Sequence, residues 1–518
     1  RVAMLLGNRP EFHIADIAVL LVGGTPISIY NSSSVDQIRY LLHHSRAQVG
    51  VVAPHDTDGA PGVVSWSSLL SAAPVDVESA AQVAKPDDLV TVIYTSGTTG
   101  APKGVMLDHT NVCWANESLR VALGFPTEGF RVVSYLPMAH IAERLTSHYG
   151  GLTHGYEITV CADLHLVLGA FQEARPELLF GVPRTYERIH SGVRAVLAAD
   201  PDHEAAFDDA LAVGAEVAAM RARGESPIGA LAAAWERADG EHLRPVRELL
   251  GLADVRCAVA SAAPMPVEIL AFFRSLGVPL AEMYGLSESA GPLTWEPKAV
   301  RLGTVGRAIP GLELDLGAGG EVLARGGNVF HGYLADPDRT AEALDADGWL
   351  HTGDVGELDD DGYLRIVDRM KELIITAGGK NVSPANLEAA LKAQPLIAQA
   401  CAIGDGEPYL VALVVLDAEV VPVWAAAHAV AAEPIALAAL ASDPVVVAEI
   451  AHEVADANGR FSHAEQIRRV LVLGEEWLPD SEELTPTMKL KRRGILAKYR
   501  DRIDALYRDE VGVEPTPR

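Results

Sequence analysis

The chain has 518 residues, 49% hydrophobic and 22% charged, a globular composition too long for one core; at about 150 residues per domain it predicts three or so lobes. Its 70 acidic against 42 basic residues give a net charge of −28, which excludes non-specific nucleic-acid binding because that needs a basic footprint. Cys113, Cys161, Cys257 and Cys401 are scattered without a Cys-x-x-Cys pair, so a reducing compartment and no structural zinc are expected.

Residue 1 is arginine and the sequence enters mid-pattern at Val2-Ala3-Met4-Leu5-Leu6. Short apolar runs at 49–52, 89–93, 132–136, 178–182 and 257–260 read as strands, bounded by polar, Gly or Pro residues. They alternate with helical patterns, which implies parallel sheets covered by helices. The Ala-rich, charge-studded stretch 201–250 predicts exposed helices, an insertion or a lid. From 303 to 368 glycines punctuate short strands of a small β subdomain. Beyond Lys371 a separate segment opens with a strand at 373–375 and a helix starting at Pro384, proline suiting a first turn. The greasy region 410–441 is broken by Asp417, Glu419, Pro422, Glu433 and Pro434, so it is not a membrane span. Its part from 420 to 441 reads as plain helical surface.

One stretch reads as a phosphate-holding loop: Thr95-Ser96-Gly97-Thr98-Thr99-Gly100-Ala101-Pro102-Lys103-Gly104, after the strand 89–93 and Tyr94. Its glycines let the backbone approach a polyanion with N–H groups turned inward, and its hydroxyls add donors. Lys103 supplies a compact charge on a flexible stem. A Walker A loop is excluded, because Gly104 follows the lysine and Val105-Met106-Leu107 reads as strand. A Ser/Thr/Gly-rich surface turn is the bland alternative.

Distant segments add chemistry. Tyr284-Gly285-Leu286-Ser287-Glu288 offers an aromatic plane for a base, a tight turn, a hydroxyl and a carboxylate. Mg²⁺ prefers one or two carboxylates plus substrate oxygens, which suits Glu288; alone, Glu288 is equally a solvated carboxylate. Ser261-Ala262-Ala263-Pro264 permits close approach of a flat ring or is an ordinary turn. Thr352-Gly353-Asp354 places a carboxylate that can accept from vicinal ribose hydroxyls, and Arg369 follows nearby; a surface ion pair is the alternative.

In this order, and over essentially the whole chain, these segments resemble the adenylate-forming superfamily of acyl-CoA synthetases, peptide-synthetase adenylation domains and firefly-type luciferases. The stretch Leu136-Pro137-Met138-Ala139-His140-Ile141-Ala142-Glu143-Arg144 is similar to the long-chain acyl-CoA synthetases of bacterial type. The resemblance implies an α/β fold: a large N-terminal body of parallel sheets with helices plus the small β subdomain (residues 1–368), expected to be preceded by a further N-terminal piece as in other family members, and a smaller mobile C-terminal α+β lid (369–518) hinged near Lys371.

It further implies ATP or AMP binding by Thr95, Ser96, Gly97, Thr98, Thr99, Gly100, Lys103, Ala262, Ala263, Tyr284, Gly285, Ser287, Asp354, Arg369 and Lys489. Thr95 and Glu288 would hold Mg²⁺, and His140 would stand beside the acyl carboxylate. Lys489 would enter for the first half-reaction only, a mobile cation easing attack of one anion on another; Lys491 is the runner-up. Gly378, Gly379 and Lys380 would line the coenzyme A channel in the second. Some long-chain members carry a gating tryptophan four residues after the histidine; Arg144 stands there, so a tryptophan-gated channel is not expected.

The expected function is fatty-acid–CoA ligation: carboxylate and ATP to acyl-adenylate and pyrophosphate, then thiolysis by CoA. The alternatives are a fatty acyl-AMP ligase serving a carrier protein, although no insertion lies between Asp368 and Gly379, and a truncated protein that binds nucleotide or fatty ligand without turnover. A cytoplasmic location is expected. Peripheral contact with the inner face of the plasma membrane, and a homodimer, stay open.

Overall fold

Alternating apolar runs become parallel sheets because each is short, rich in branched side chains and followed by a helix that covers one face. In the computed structural model, which describes residues 1–52, 63–65, 69–95, 102–370, 372–377, 380–428, 430, 436–478, 481–485 and 488–517, the chain forms two units. One comprises residues 1–352 and 356–366; the other comprises 353–355 and 367–518.

The first unit opens with strand β1 (Val2–Leu5), helix α1 (Pro10–Leu21), β2 (Pro26–Ser28), helix α2 (Val35–Ser45), β3 (Val49–Val52) and β4 (Val63–Ser65). The four strands form a parallel sheet in the order β2-β1-β3-β4. Strands β5 (Leu89–Thr95) and β6 (Lys103–Asp108) form an antiparallel hairpin that leads into helix α3 (His109–Leu123). Six further strands follow: β7 (Arg131–Ser134), β8 (Glu157–Val160), β9 (Leu178–Gly181), β10 (Cys257–Ala260), β11 (Leu280–Leu286) and β12 (Gly291–Trp295). They lie in the order β12-β11-β10-β9-β7-β8, parallel except for β12. The small β subdomain is a four-stranded sheet of β13 (Glu313–Leu316), β14 (Glu321–Arg325), β15 (Leu350–Leu358) and β16 (Leu364–Arg369).

Several expectations are corrected. The strand expected at 132–136 stops at Ser134, because side chains take the backbone groups of Leu136. Asn8 Nδ2 donates to its carbonyl at 2.7 Å, and its N–H donates to Glu143 Oε2 at 3.1 Å. The tight turn expected inside Tyr284–Glu288 falls at its end. Tyr284, Gly285 and Leu286 complete β11 with a bulge between Tyr284 and Gly285, and the chain turns at Ser287–Ser289.

Residues 201–250 are not an exposed appendage. Helix α4 (Pro201–Ala222) turns Phe207, Ala210, Leu211, Gly214 and Val217 inward against helix α5 (Val267–Ser275). Phe207 joins the central apolar cluster with Phe272 and Phe273. The helices approach so closely that a Cβ on Gly214 would sit 2.0 Å from the Ser275 carbonyl oxygen.

In the second unit the strand expected at 373–375 is β17 (Ile374–Ile375), paired with β18 (Asn381–Val382); the Leu373 N–H instead turns back to the Arg369 carbonyl. Helix α6 (Pro384–Lys392), β19 (Ile397–Ile403), β20 (Leu410–Leu416), helix α7 (Pro444–Asn458) and β21 (Ile467–Leu473) follow, with sheet order β19-β20-β21. Every residue of β20 is buried. Leu410, Ala412, Val414 and Leu416 face one apolar cluster, and Val411, Leu413 and Val415 face another. The 420–441 stretch is not plain surface, since Val421, Ala425, Val430 and Leu440 enter the first of those clusters.

If α4 is core, Phe207→Ala should lower unfolding free energy by about 3–5 kcal/mol. Chemical denaturation checks this; a change within about 0.5 kcal/mol would mark α4 as peripheral.

Candidate functional site

The loop from Thr95 to Lys103 is the connection of the β5–β6 hairpin, and its end residues are paired across the ladder, Thr95 with Lys103 and Tyr94 with Gly104. Ser96, Gly97, Thr98, Thr99 and Gly100 lie outside the described residues. At the exit, strand β6 continues into contacts with residues 330–334. The Met106 N–H donates to the Gly332 carbonyl, and the Leu334 N–H to the Gly104 carbonyl at 2.8 Å. Gly104 is needed there: a Cβ would meet Val92 at 2.9 Å and Leu334 at 3.2 Å.

Tyr333, unnoticed in the sequence, joins two expected site residues. Its hydroxyl donates to Glu288 Oε1 at 2.8 Å, and the Lys103 ammonium lies 4.6 Å from its ring centroid. The Glu288 carbonyl also accepts from the Phe330 N–H at 2.8 Å. A carboxylate, an aromatic ring and an ammonium therefore share one corner beside the loop exit. Only a motif-level reading of 326–334 could have found Tyr333, since no periodicity marks it.

His140, Ala262, Ala263 and Tyr284 occupy one edge of the six-stranded sheet. His140 follows β7, the two alanines follow β10, and Tyr284 lies near the end of β11, so all stand at the carboxyl ends of parallel strands, where open α/β sheets bind ligands. Ala262 holds φ +75°, an unusual backbone for alanine. Gly285 permits the bulge, for a Cβ there would lie 1.8 Å from the Gly291 carbonyl oxygen. Ser287 is buried at the start of the turn.

Glu282 is a second residue the sequence reading missed. It precedes Tyr284 by two on β11, so both project from the same face. Met265 N–H lies 3.4 Å from its Oε1, and burial pushes its carboxyl up to about 8. At neutral pH it can donate as well as accept, which suits the edge of a base. Period-two spacing from Tyr284 was the available signal.

His140 caps the short helix Ile141–Glu143, its Nδ1 accepting from the Ala142 N–H at 3.2 Å. In the second unit, Arg369 Nε lies 3.1 Å from Asp354 Oδ1, and the Met370 N–H donates to the Gly353 carbonyl. Asp354 is buried, whereas the Arg369 side chain is half-exposed. Lys371, Gly378 and Gly379 lie outside the described residues. Lys380 pairs with Glu465 at 3.5 Å. Lys489 is exposed at the end of a turn in which its N–H donates to Thr485 Oγ1 at 3.0 Å and its carbonyl accepts from the Thr485 N–H at 2.8 Å. Lys491, by contrast, is part-buried and its ammonium donates to the Ser481 carbonyl at 2.8 Å.

Residues 1–334 match the family of AMP-binding enzymes, and residues 371–511 match the AMP-binding enzyme C-terminal domain. The chain belongs to the AMP-binding enzyme family. Among curated relatives, fadD11 of Mycobacterium tuberculosis is 45% identical over 461 residues, covering 87% of this chain and 80% of its own. The long-chain-fatty-acid–CoA ligase FadD15 of Mycobacterium bovis is 35% identical over 543 residues, covering 98% and 88%. A solved structure of O-succinylbenzoate coenzyme A synthetase from Bacillus subtilis, in complex with ATP and magnesium, superposes with a TM-score of 0.64 at 21% identity, covering 95% of this chain and 88% of that one. The last likeness is one of fold: a large N-terminal domain and a smaller C-terminal one.

Within this AMP-binding enzyme, Arg144 stands in a buried charge network. Its guanidinium bonds to Asp16, to Ser28 Oγ at 2.6 Å and to the Tyr149 hydroxyl at 2.9 Å. His148 Nε2 lies 2.9 Å from Asp16 Oδ1, and His148 Nδ1 lies 2.9 Å from His13 Nδ1. Arg144 is fully buried, so this position ties the turn after His140 to α1 and β2. The residue before it, Glu143, is also buried, and burial pushes its carboxyl up to about 7.

Because the folded pKa of Glu143 exceeds the unfolded value, its protonated form favours the fold below about pH 4.5, and that contribution disappears as pH rises through about 7. Glu143→Gln should therefore gain stability relative to the parent between pH 4.5 and pH 8. Paired denaturant titrations at both pH values check this; an equal difference at both would show that Glu143 does not titrate in this window.

Proposed function

We propose that this chain is an AMP-forming fatty-acid–CoA ligase. The reading rests on the similarity to a long-chain-fatty-acid–CoA ligase over 98% of the chain, taken with the carboxylate–tyrosine–lysine corner at the exit of the hydroxyl-rich loop. ATP, Mg²⁺ and CoA follow from that reaction. Among the described residues no helix is long and apolar enough to cross a membrane.

In the first half-reaction a carboxylate oxygen attacks the α-phosphorus of ATP, forming the acyl–phosphate bond and expelling pyrophosphate. In the second, the CoA thiol attacks the acyl carbonyl, its proton is lost, and AMP leaves. The difficulty of the first step is charge: one anion approaches another in a protein of net charge −28. Thr95 and Lys103 would hold the β and γ phosphates, with donors fixed before the charge develops. Glu288 would hold Mg²⁺, which neutralises phosphate charge when bound. Its Oε1 accepts from Tyr333, a contact that orients the carboxylate.

Tyr284 and Glu282 would meet the adenine, Asp354 and Arg369 the ribose, and His140 the acyl carboxylate. Lys489, exposed where Lys491 is part-buried, would be the adenylation lysine. A hinge at Lys371 would then exchange Lys489 for residues 378–380 between half-reactions.

Lys489→Ala should reduce adenylate formation by about a hundred-fold or more while thiolysis of preformed acyl-AMP continues, and Lys491→Ala should not show that split. Rapid-quench assays of the two half-reactions check it, and equal loss in both would make Lys489 structural. Glu288→Gln should shift the magnesium dependence of ATP use to higher concentration with little effect on acid binding. Overlaying magnesium titrations of variant and parent would overturn the metal assignment.

A further inference from the structure

The segment 326–334, which carries Tyr333, has neither helix nor strand of its own, so its backbone groups find partners on neighbouring elements. On one side it is fastened to the first turn of α3. Asn111 Nδ2 donates to the Gly327 carbonyl at 2.9 Å and to the Val329 carbonyl at 3.0 Å, and His331 Nε2 lies 2.7 Å from Asp108 Oδ2. Asp108 and Asn111 are themselves locked together in a capping box. On the other side the segment grips the turn that presents Glu288. Asn328 Nδ2 donates to the Ser289 carbonyl at 3.0 Å and to the Pro292 carbonyl at 2.7 Å, and the Phe330 N–H donates to the Glu288 carbonyl at 2.8 Å. The β11–β12 ladder reaches only the ends of this turn, pairing Leu286 with Gly291. The carbonyls of Glu288 and Ser289, in its middle, are held from the segment 326–334. We infer that Asn328 is a positioning residue for Glu288 as a magnesium ligand, holding the backbone that carries the carboxylate in one arrangement.

The inference rests on the reading above that Glu288 holds Mg²⁺. The residues fit a hard cation: Ser287 and Ser289 are buried whereas Glu288 is half-buried, which leaves a carboxylate within reach of solvent on an otherwise closed turn. Mg²⁺ demands near-ideal octahedral geometry, so a carboxylate oxygen that wanders binds it less well. The turn does not keep its shape by local preference. Ala290 holds φ +49°, a backbone that alanine adopts only where its surroundings impose it. Asn328 suits the task because its amide carries two N–H donors and both meet carbonyls; serine has one donor, and leucine has none. Its side chain is fully buried, and Gly326 leaves it room, since a Cβ there would lie 3.0 Å from Asn328 Oδ1. The amide is not what docks the segment. Phe330 and Tyr333 lie in an apolar cluster with Val105, Leu107 and Val112, so changing Asn328 leaves that burial intact.

The experiment measures binding of labelled ATP by equilibrium dialysis over a series of magnesium concentrations, without fatty acid, so that no turnover enters the reading. Parent, Asn328→Ser, Asn328→Leu and Glu288→Gln are compared, with ATP binding in EDTA and thiolysis of preformed acyl-AMP alongside. Both Asn328 variants should raise the half-saturating magnesium concentration by about ten-fold, the lower end of what losing an outer-sphere partner costs a metal site. ATP binding in EDTA and the thiolysis rate should stay near the parent's. Should Asn328→Leu fail to fold, Asn328→Ser decides. A half-saturating magnesium concentration equal to the parent's in Asn328→Ser, or an equal weakening of ATP binding with magnesium and with EDTA, would overturn the inference. If Glu288→Gln raises that concentration while Asn328→Ser does not, only the positioning role is wrong. If Glu288→Gln leaves it unchanged, the metal reading of Glu288 falls and the inference with it.

Discussion

The contact on which the proposed nucleotide site depends is made by one aromatic residue with two charges of opposite sign. Tyr333 donates its hydroxyl to Glu288 and lays its ring beneath the Lys103 ammonium. A cation over an aromatic face gains about 0.5–2 kcal/mol, depending on how far it is desolvated. The larger effect is geometric, because the flexible lysine stem is given one place to rest. In a chain with 28 more acidic than basic residues, a polyanion is held only where donors are concentrated and fixed. Strand β6 supplies the means, since the same short segment that carries Tyr333 is hydrogen-bonded to it at Gly104 and Met106.

The stretch from Leu136 to Arg144 is held from both ends by ionisable groups that water does not reach. Glu143 accepts from the Leu136 N–H, and Arg144 bonds to Asp16, which also accepts from His148. Taking such groups from water is costly unless each finds partners, and removal of one partner from a buried pair typically costs about 3–5 kcal/mol. The network stabilises little by its charges alone. Its effect is to fix one arrangement of the turn that carries His140. The position four residues after His140, Arg144, is thus committed to joining this turn to α1 and β2.

The apolar runs and the order of motifs were legible because strand burial and phosphate chemistry leave local marks: branched residues in short runs, glycines and hydroxyls together. What was not legible depends on partners far away in sequence. Arg144 and Asp16 are 128 residues apart, and Tyr333 and Glu288 are 45 apart; no window on the chain contains both members. Helix α4 was misjudged for a different reason. Its alanines and charges suggest solvent, yet Phe207, Leu211, Gly214 and Val217 recur at helical spacing, and that stripe is the buried one. Glu282 shares a strand face with Tyr284 but belongs to no motif; in the fold it is half-buried, and its carboxyl is pushed up to about 8.

The two units each possess a core of their own. In the first, Phe207, Phe272, Phe273 and strands of the six-stranded sheet contribute to one apolar cluster; in the second, the sheet β19-β20-β21 separates two clusters, one with α6 and α7 and the other with Trp477, Ile495, Tyr499 and Leu506. Burial scales with apolar area removed from water, so a segment with both faces covered inside one unit loses nothing when another unit moves. The proposed exchange of Lys489 for residues 378–380 asks for that property. A lysine needed for one step only must be carried on a body that stays folded when the lysine is withdrawn, and the turn that holds Lys489 is closed within its own unit by Thr485.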